Sequence, residues 1–466
     1  MSISTYQLSS NEKSYNELFK RLYYHLYTNS NSSRAETITS DLSKILLCKL
    51  ADDRNYNGKY ISDYLSGEKS LKETLLFLLK DGFPSLNAHK EGFSLDESSL
   101  KVALEEIHTI DLHKAPSQVI GDAFQSLIGP NIRGDKGQFF TPRNVVKSMV
   151  KIIAPKPSDV IIDPACGPGG FLNEVYNYIY SKHPSESFSG KLLGIDKDKD
   201  LAYLATAILE ILTSGKGNIY NANSFEYFIS KIEKGETIEI ADVILTNPPF
   251  GSKIGIKDQK ILKCFDFGYE WNYSSDKQQW YKVDNVIKSQ DPQILFIELC
   301  IRMLKPGGEM AIVLPEGVFG NKKLGYVWDY IYNNGEITAM IDCPRTTFQP
   351  STDTKTNILF FKKSKQDLQS GSVRKSEPLI SVALNCGHDK RGRIYNSAGE
   401  PYSDDFEKIS DDFWNNKKEF WVKSIVSDYY LVPRYYYNFV QQKKLAENVN
   451  TISIKDMLDK GYITIR

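Results

Sequence analysis

A chain of 466 residues is longer than one hydrophobic core usually organises, so two or three folding units are expected. Its hydrophobic fraction of 41% and charged fraction of 25% are those of an ordinary globular protein, and no apolar run approaches the roughly 20 residues of a membrane span. A formal net charge of +0 argues against a chain that grips nucleic-acid phosphates unaided: either its basic residues gather on one face or a partner supplies much of the hold.

The polar start, Met1 to Lys20, has no secretory apolar core, and the 6 cysteines are scattered singly. Together these point to a reducing, cytoplasmic location and to no metal site. The region up to about Gly129 reads as helical, because Tyr15–Tyr27 and Ser70–Leu79 carry apolar residues at helical spacing between Asn, Ser and Gly breaks. Arg133–Gly137 is a polar, glycine-punctuated linker. This divides the chain into a helical N-terminal domain (residues 1–130), a catalytic domain (131–365) and a C-terminal region for partner or DNA contact (366–466).

From Gly137 the pattern alternates. Val160–Asp163 reads as a strand, Gly170–Tyr180 as a helix, Lys191–Asp196 as a strand and Leu201–Leu212 as an apolar helix. Asn218–Asn223 follows as a third strand, with Ser224 capping the next helix, and Ala241–Leu245 as a fourth. Asp291-Pro292 opens a helix that closes at Pro306-Gly307-Gly308. Glu309–Leu314 and Glu336–Ile341 read as further strands, and Lys355–Lys362 as a late edge strand. This alternation predicts an α/β fold with a doubly wound, mainly parallel sheet covered on both faces. Later signals are weaker: Pro378–Leu384 could add a strand, and Phe413–Phe439 is rich in Trp and Tyr.

The chemistry-bearing residues sit at strand ends, where open α/β sheets bind ligands. Asp163 through Phe171 (Asp-Pro-Ala-Cys-Gly-Pro-Gly-Gly-Phe) joins a strand to a helix, and its glycines allow backbone to approach a ligand closely. An acid directly before such a loop would repel a pyrophosphate but suits the ammonium of a methionine moiety; a capped tight turn is the plainer alternative. Asp196, ending the second strand, can accept both hydroxyls of a ribose, or be a surface acid. Asn223 could meet an adenine edge, or simply be a turn residue.

The most specific signal is Asn247-Pro248-Pro249-Phe250, after the fourth strand. Two prolines make a rigid extended bracket, so that the Asn247 side-chain oxygen and the Pro248 carbonyl can both accept hydrogens of one planar NH2. That frees the nitrogen lone pair to attack a methyl sulfonium, while Phe250 would stack on the base. No general base is needed before the attack, consistent with the absence of a Cys/His or Ser/His constellation. Thr141 with Pro142 reads as N-cap and first helical residue, and that helix start also offers NH groups to a ligand carboxylate. Phe348 could be a second stacking surface or a core anchor. His388, alone in its loop, reads as a loop residue rather than a catalyst.

In this order, Gln138–Arg143, Asp163–Phe171, Asp196 and Asn247–Phe250 resemble the modification subunits of type I restriction–modification systems, within the gamma group of adenine-N6 DNA methyltransferases. The resemblance covers about Leu104 to Lys363. It implies a class I S-adenosylmethionine-dependent methyltransferase fold and methylation of N6 on an adenine flipped out of double-stranded DNA. It implies that residues within Gln138–Arg143 and Gly167–Gly169, with Asp196, bind S-adenosyl-L-methionine; joined to the strand-end reading, the candidate ligand set is Gln138, Phe140, Thr141, Pro142, Arg143, Asp163, Ala165, Gly167, Gly169, Asp196 and Asn223. It further implies a specificity subunit as partner and admits a restriction subunit beside it. Methylation of RNA or of a protein glutamine, and a non-enzymatic assembly scaffold, are the competing readings.

Overall fold

The strands form where β-branched and leucine-rich runs alternate across two buried faces. Along β1 (Val160–Asp163), Ile161 enters one core and Ile162 the other. The same division recurs in β7 (Leu304–Pro315), where Ala311 and Val313 face one core and Met310, Ile312 and Leu314 the other. A sheet apolar on both faces must be covered on both, and it is.

The computed structural model describes residues 10–110, 141–213, 217–365 and 377–448, apart from residues 33, 87, 252–253, 416–417 and 427–428. The linker at Arg133–Gly137, the ligand candidates Gln138 and Phe140, and the tail from residue 449 lie outside the described residues.

The nine-stranded sheet runs β11-β10-β8-β9-β7-β4-β1-β2-β3. The remaining strands are β2 (Lys191–Asp196), β3 (Gly217–Asn221), β4 (Ala241–Thr246), β8 (Gly335–Asp342), β9 (Thr356–Lys363), β10 (Leu379–Val382) and β11 (Val422–Lys423). β3, β2, β1, β4 and β7 pair in parallel, as expected from the alternating pattern. β9 pairs antiparallel with both β7 and β8, so it is central rather than an edge. Its sequence explains the correction: Thr356 to Phe361 are all buried, a run that only a strand covered on both faces can hide. The third strand ends at Asn221, two residues before the expected limit. The Pro306-Gly307-Gly308 segment does not close the preceding helix; that helix stops at Met303, and the segment is drawn into β7. A separate hairpin, β5 (Tyr269–Ser274) with β6 (Gln279–Val286), has no counterpart among the sequence expectations.

The N-terminal helices are α1 (Ser10–Asn29), α2 (Ala35–Tyr56), α3 (Lys59–Leu65), α4 (Phe77–Gly82), α5 (Ala88–Glu91) and α6 (Glu97–Ile107). Then come α7 (Arg143–Ile153), α8 (Gly170–Lys182), α9 (Lys199–Thr213), α10 (Ser224–Glu233), α11 (Gln259–Lys263), α12 (Pro292–Met303), α13 (Glu316–Gly320), α14 (Gly325–Asn334), α15 (Phe406–Asp412) and α16 (Pro433–Asn448). Helix α9 joins the two regions. Its Leu201, Tyr203, Leu204 and Ile208 share a core with α1–α6, while Ala202, Ala205 and Leu209 face the sheet. Polar ties cross the same boundary: Ser40 donates to Asp200 at 2.6 Å, and Arg54 pairs with Glu210 at 2.7 Å. Among the described residues, no helix is long and apolar enough to cross a membrane.

Candidate active site

The site forms at the carboxyl ends of β1, β2 and β4, which are adjacent in the sheet. Asp163 closes β1 and is 1% exposed. Its Oδ1 accepts the Ala165 amide at 3.0 Å, while Oδ2 is buried with no partner among the described residues. Burial pushes its carboxyl from 3.8 up to about 7, offset in part by the nearby Thr246 hydroxyl and the Ala165 amide and reinforced by Asp196. Thr246 Oγ1 is itself buried and forms no well-shaped hydrogen bond. A buried acid facing a second acid suits a cation.

The loop after Asp163 turns on two left-handed glycines. Gly167, at φ 51°, would direct a Cβ into open space, but its left-handed backbone is one that residues with a side chain rarely adopt. Gly169, at φ 84°, caps α8, and there an added Cβ would press on Ala205 at 3.4 Å. Asp196 braces this loop: its Oδ2 accepts from Gly167 N and its Oδ1 from Asp198 N, each at 2.8 Å. Burial raises its carboxyl, and those two amides offset the rise. Each oxygen keeps a lone pair, so a diol can still be accepted. The Cys166 thiol, pushed up by burial, is not a nucleophile in this setting.

Asn223 is the true N-cap of α10, accepting from Phe225 N at 3.0 Å. Ser224, the expected cap, sends its hydroxyl to the Pro164 carbonyl instead and so ties the loop to this helix. Its oxygen keeps a second lone pair, and its Nδ2 lies 3.4 Å from Glu226 Oε1.

Asn247 follows β4. Its Nδ2 donates to Thr141 Oγ1 at 3.0 Å, and its Oδ1 is buried without a partner. Thr141 is therefore not the cap of α7: Pro142 holds that position, its carbonyl accepting Val146 N at 3.1 Å, and the helix begins at Arg143. Pro248 is buried and Pro249 half-buried, while Phe250 is 8% exposed. Gln293 Oε1, near the start of α12, accepts Gly251 N at 3.3 Å and holds the chain beyond Phe250. Sequence reasoning finds the start of that helix but not this contact. Asp163, Ala165, Gly167, Gly169, Asp196, Thr141 and Asn247 thus come together on one edge of the sheet.

Phe348, 3% exposed, sits in a 3-10 turn and belongs to the core. His388 is not alone: it pairs with Cys386, which pushes it up to about 9, and its Nε2 lies 3.3 Å from the Thr347 carbonyl. Burial alone would raise the Cys386 thiol, but His388 and Thr346 pull it below the ordinary value. The Cys386 carbonyl accepts Asn144 Nδ2 at 2.9 Å, fastening this loop to the start of α7. Apart from Cys386 and His388 themselves, two positions apart, these contacts join residues tens to hundreds of positions apart, so no local signal reveals them. Among the described residues, no group of three His, Cys, Asp or Glu could hold a metal.

The model of the N-6 DNA methylase family matches residues 115–424, well over half of the chain. The type I restriction enzyme EcoEI methylase subunit of Escherichia coli is 28% identical over 297 residues, 62% of this chain and 54% of that one. The EcoKI methylase subunit of Escherichia coli strain K12 is 27% identical over 258 residues, covering 52% and 44% respectively. The chain spans about half the length of these curated relatives. The type I restriction–modification methyltransferase subunit from Streptococcus thermophilus superposes with a TM-score of 0.59 at 15% identity, covering 91% of this chain and 99% of that one. A chain from a study of complex assembly in the type I restriction–modification system gives 0.63 at 20% identity, with coverage of 88% and 83%. These two likenesses speak for the fold; the family match, spanning both the cofactor-type loop and Asn247–Phe250, shows that this chain belongs to the N-6 DNA methylase family.

Proposed function

We propose that the chain transfers a methyl group from S-adenosylmethionine to N6 of an adenine flipped out of DNA, as the modification subunit of a type I restriction–modification complex. The observation that carries this is Asn247 Oδ1, a buried acceptor with no partner at the end of a rigid Pro-Pro bracket. Such an atom costs about 1–3 kcal/mol until a donor reaches it, and an exocyclic amine is a donor of the right shape. With the Pro248 carbonyl as second acceptor, both amine hydrogens are held and the nitrogen lone pair is drawn out of conjugation with the ring. Phe250, largely buried, gives the base an aromatic wall beside that grip.

The residues present fit the cofactor. Asp163, with its unpartnered Oδ2, would meet the ammonium; the Ala165–Gly169 loop would lie along the ligand; and Asp196 would accept the ribose hydroxyls. The segment Gln138–Arg143 would flank the methionine end. When bound, S-adenosylmethionine supplies a methyl group on a cationic sulfur that an amine lone pair can take. The chain's balanced charge favours a specificity subunit that selects the DNA, with a restriction subunit as a third component.

Tritiated S-adenosylmethionine and unmethylated DNA, with and without a specificity subunit, test the reading. Label is expected in N6-methyladenine, and Asn247→Ala should reduce transfer by about 100-fold or more with nearly unchanged cofactor binding. No label in either condition, or equal loss of binding and transfer, would overturn it.

A further inference from the structure

β10 runs parallel to β8, and β9 is antiparallel to both β8 and β7, so β10 ends at the same edge of the sheet as β4, β1 and β2. The chain that leaves it, residues 383–405, therefore emerges on the side of the sheet that holds Asn247. It forms a strap that doubles back on itself: Gly387 N donates to the Ser403 carbonyl at 2.9 Å, and Tyr395 bridges to Pro401. The strap is braced against the site. The Cys386 carbonyl accepts Asn144 Nδ2 at 2.9 Å, at the same helix start whose Thr141 hydroxyl meets Asn247 Nδ2 at 3.0 Å. His388 Nε2 lies 3.3 Å from the Thr347 carbonyl, and an added Cβ on Gly392 would meet Pro350 at 3.2 Å.

The acids along the strap are all engaged. Asp389 accepts the Arg391 and Arg393 amides at 2.9 Å each and pairs with the Arg393 guanidinium at 2.7 Å. Glu400 takes Asn396 Nδ2 at 3.0 Å, and Asp404 takes the Phe406 amide at 3.0 Å. Asp405 takes the Leu384 and Asn385 amides at 2.9 Å each. Lys390 and Arg391 stand exposed at the turn, and their side chains enter no ion pair among the described residues. In a chain of formal net charge +0, two adjacent unanswered cations on a braced turn are a local excess that complements a polyanion. An enzyme that extrudes a base into a pocket at this edge must bring the rest of the duplex over the same edge, phosphates included.

We propose that Lys390 and Arg391 grip the phosphate backbone of the DNA duplex beside the extruded adenine, and so position the strand over Asn247. This deepens the methyltransferase reading above and rests on it. A backbone grip carries no sequence information, so the choice of target stays with a specificity subunit.

The test uses the full chain assembled with a specificity subunit and a short unmethylated duplex. It compares the unsubstituted complex with a double variant, Lys390→Gln with Arg391→Gln, and with a charge-keeping one, Lys390→Arg with Arg391→Lys. The control is Lys182→Gln with Lys234→Gln, exposed residues where α8 and α10 have run back to the opposite edge of the sheet. DNA affinity is measured over a salt series, alongside methyl transfer, cofactor affinity and thermal unfolding. Losing two phosphate contacts should lower the magnitude of the slope of log affinity against log salt by about 2. Between about 50 and 200 mM salt, the neutral variant should therefore lose roughly tenfold less affinity than the unsubstituted complex. Its KM for DNA should rise, with cofactor affinity and the unfolding midpoint held, and the charge-keeping variant should restore the slope. An unchanged slope overturns the proposal, as does an equal change in the Lys182/Lys234 control. A neutral variant that no longer assembles with the specificity subunit also overturns it, because the strap would then be a protein contact. If the unsubstituted complex binds DNA but transfers no methyl group, the methyltransferase reading has failed, whatever the salt slopes show.

Discussion

Asp163→Asn should stabilise the cofactor-free protein, and by an amount that grows with pH. The wild-type carboxyl holds its proton up to about pH 7 when folded and to about 3.8 when unfolded. The folded state therefore binds more protons across that window, and stability is lost as pH rises from about 4 through 7. At about 1.36 kcal/mol for each tenfold change in proton affinity, the loss reaches about 4 kcal/mol above pH 7, against roughly 1.5 kcal/mol at pH 5. An asparagine removes the charge, keeps the bond from the Ala165 amide, and can donate to Thr246 Oγ1, which forms no well-shaped bond in the native protein. Urea denaturation of both proteins without cofactor, at pH 5 and pH 8, measures the difference. The expected gain is about 2–4 kcal/mol at pH 8 and distinctly less at pH 5. A variant no more stable than the wild type at pH 8, or an advantage that shrinks as pH rises, would refute the reasoning.

Cofactor binding should be coupled to the same proton. A cationic ligand beside Asp163 favours the carboxylate, so affinity for S-adenosylmethionine should rise between about pH 6 and pH 8. Calorimetry near pH 7 in buffers of different ionisation enthalpy should show a proton released, and none released by Asp163→Asn. Away from the site, Asp342 is fully buried and accepts from Lys355 at 2.7 Å and from Arg434 at 2.5 Å. Asp342→Asn would remove the charge between these two partly exposed cations, although Lys355 keeps the Cys343 carbonyl and Glu316 at 3.8 Å. It should cost about 1–3 kcal/mol in chemical denaturation while leaving cofactor affinity near wild type.

Much of the site is legible in the sequence because its signals are local. β1 and β2 fall on the expected residues, since each is a short apolar run ended by an acid. The two misplaced caps show the limit. At Asn223-Ser224, adjacent residues can both cap, and the choice is settled by Pro164, a carbonyl 60 positions away that takes the serine hydroxyl. At Thr141-Pro142 the hydroxyl goes to Asn247, 106 positions away. β9 reads as an edge because antiparallel insertion between β7 and β8 depends on topology, although its unbroken apolar run is a usable clue. The β5–β6 hairpin escapes sequence reasoning even though aromatic residues alternate with polar ones along its first arm, Tyr269-Glu270-Trp271-Asn272-Tyr273. The contacts of Cys386 with Thr346 and of His388 with Thr347, 40 and 41 positions away, are a fold-level meeting that no spacing announces.

Helix α9 has no polar face: from Leu201 to Leu209 every residue is buried. Four large side chains, Leu201, Tyr203, Leu204 and Ile208, are covered by the N-terminal helices. At about 1.5–3 kcal/mol each, that contact is comparable to the whole stability of a typical domain. The helix starts just after Asp198, whose Oδ1 takes the Asp200 amide at 3.1 Å and whose own amide is held by Asp196. The Asp196 turn is thus coupled to the N-terminal layer, which also reaches it through Ser40 on Asp200. The N-terminal helices serve the site as a keystone serves an arch, and removing them would be expected to melt the half of the sheet that carries Asp163 and Asp196.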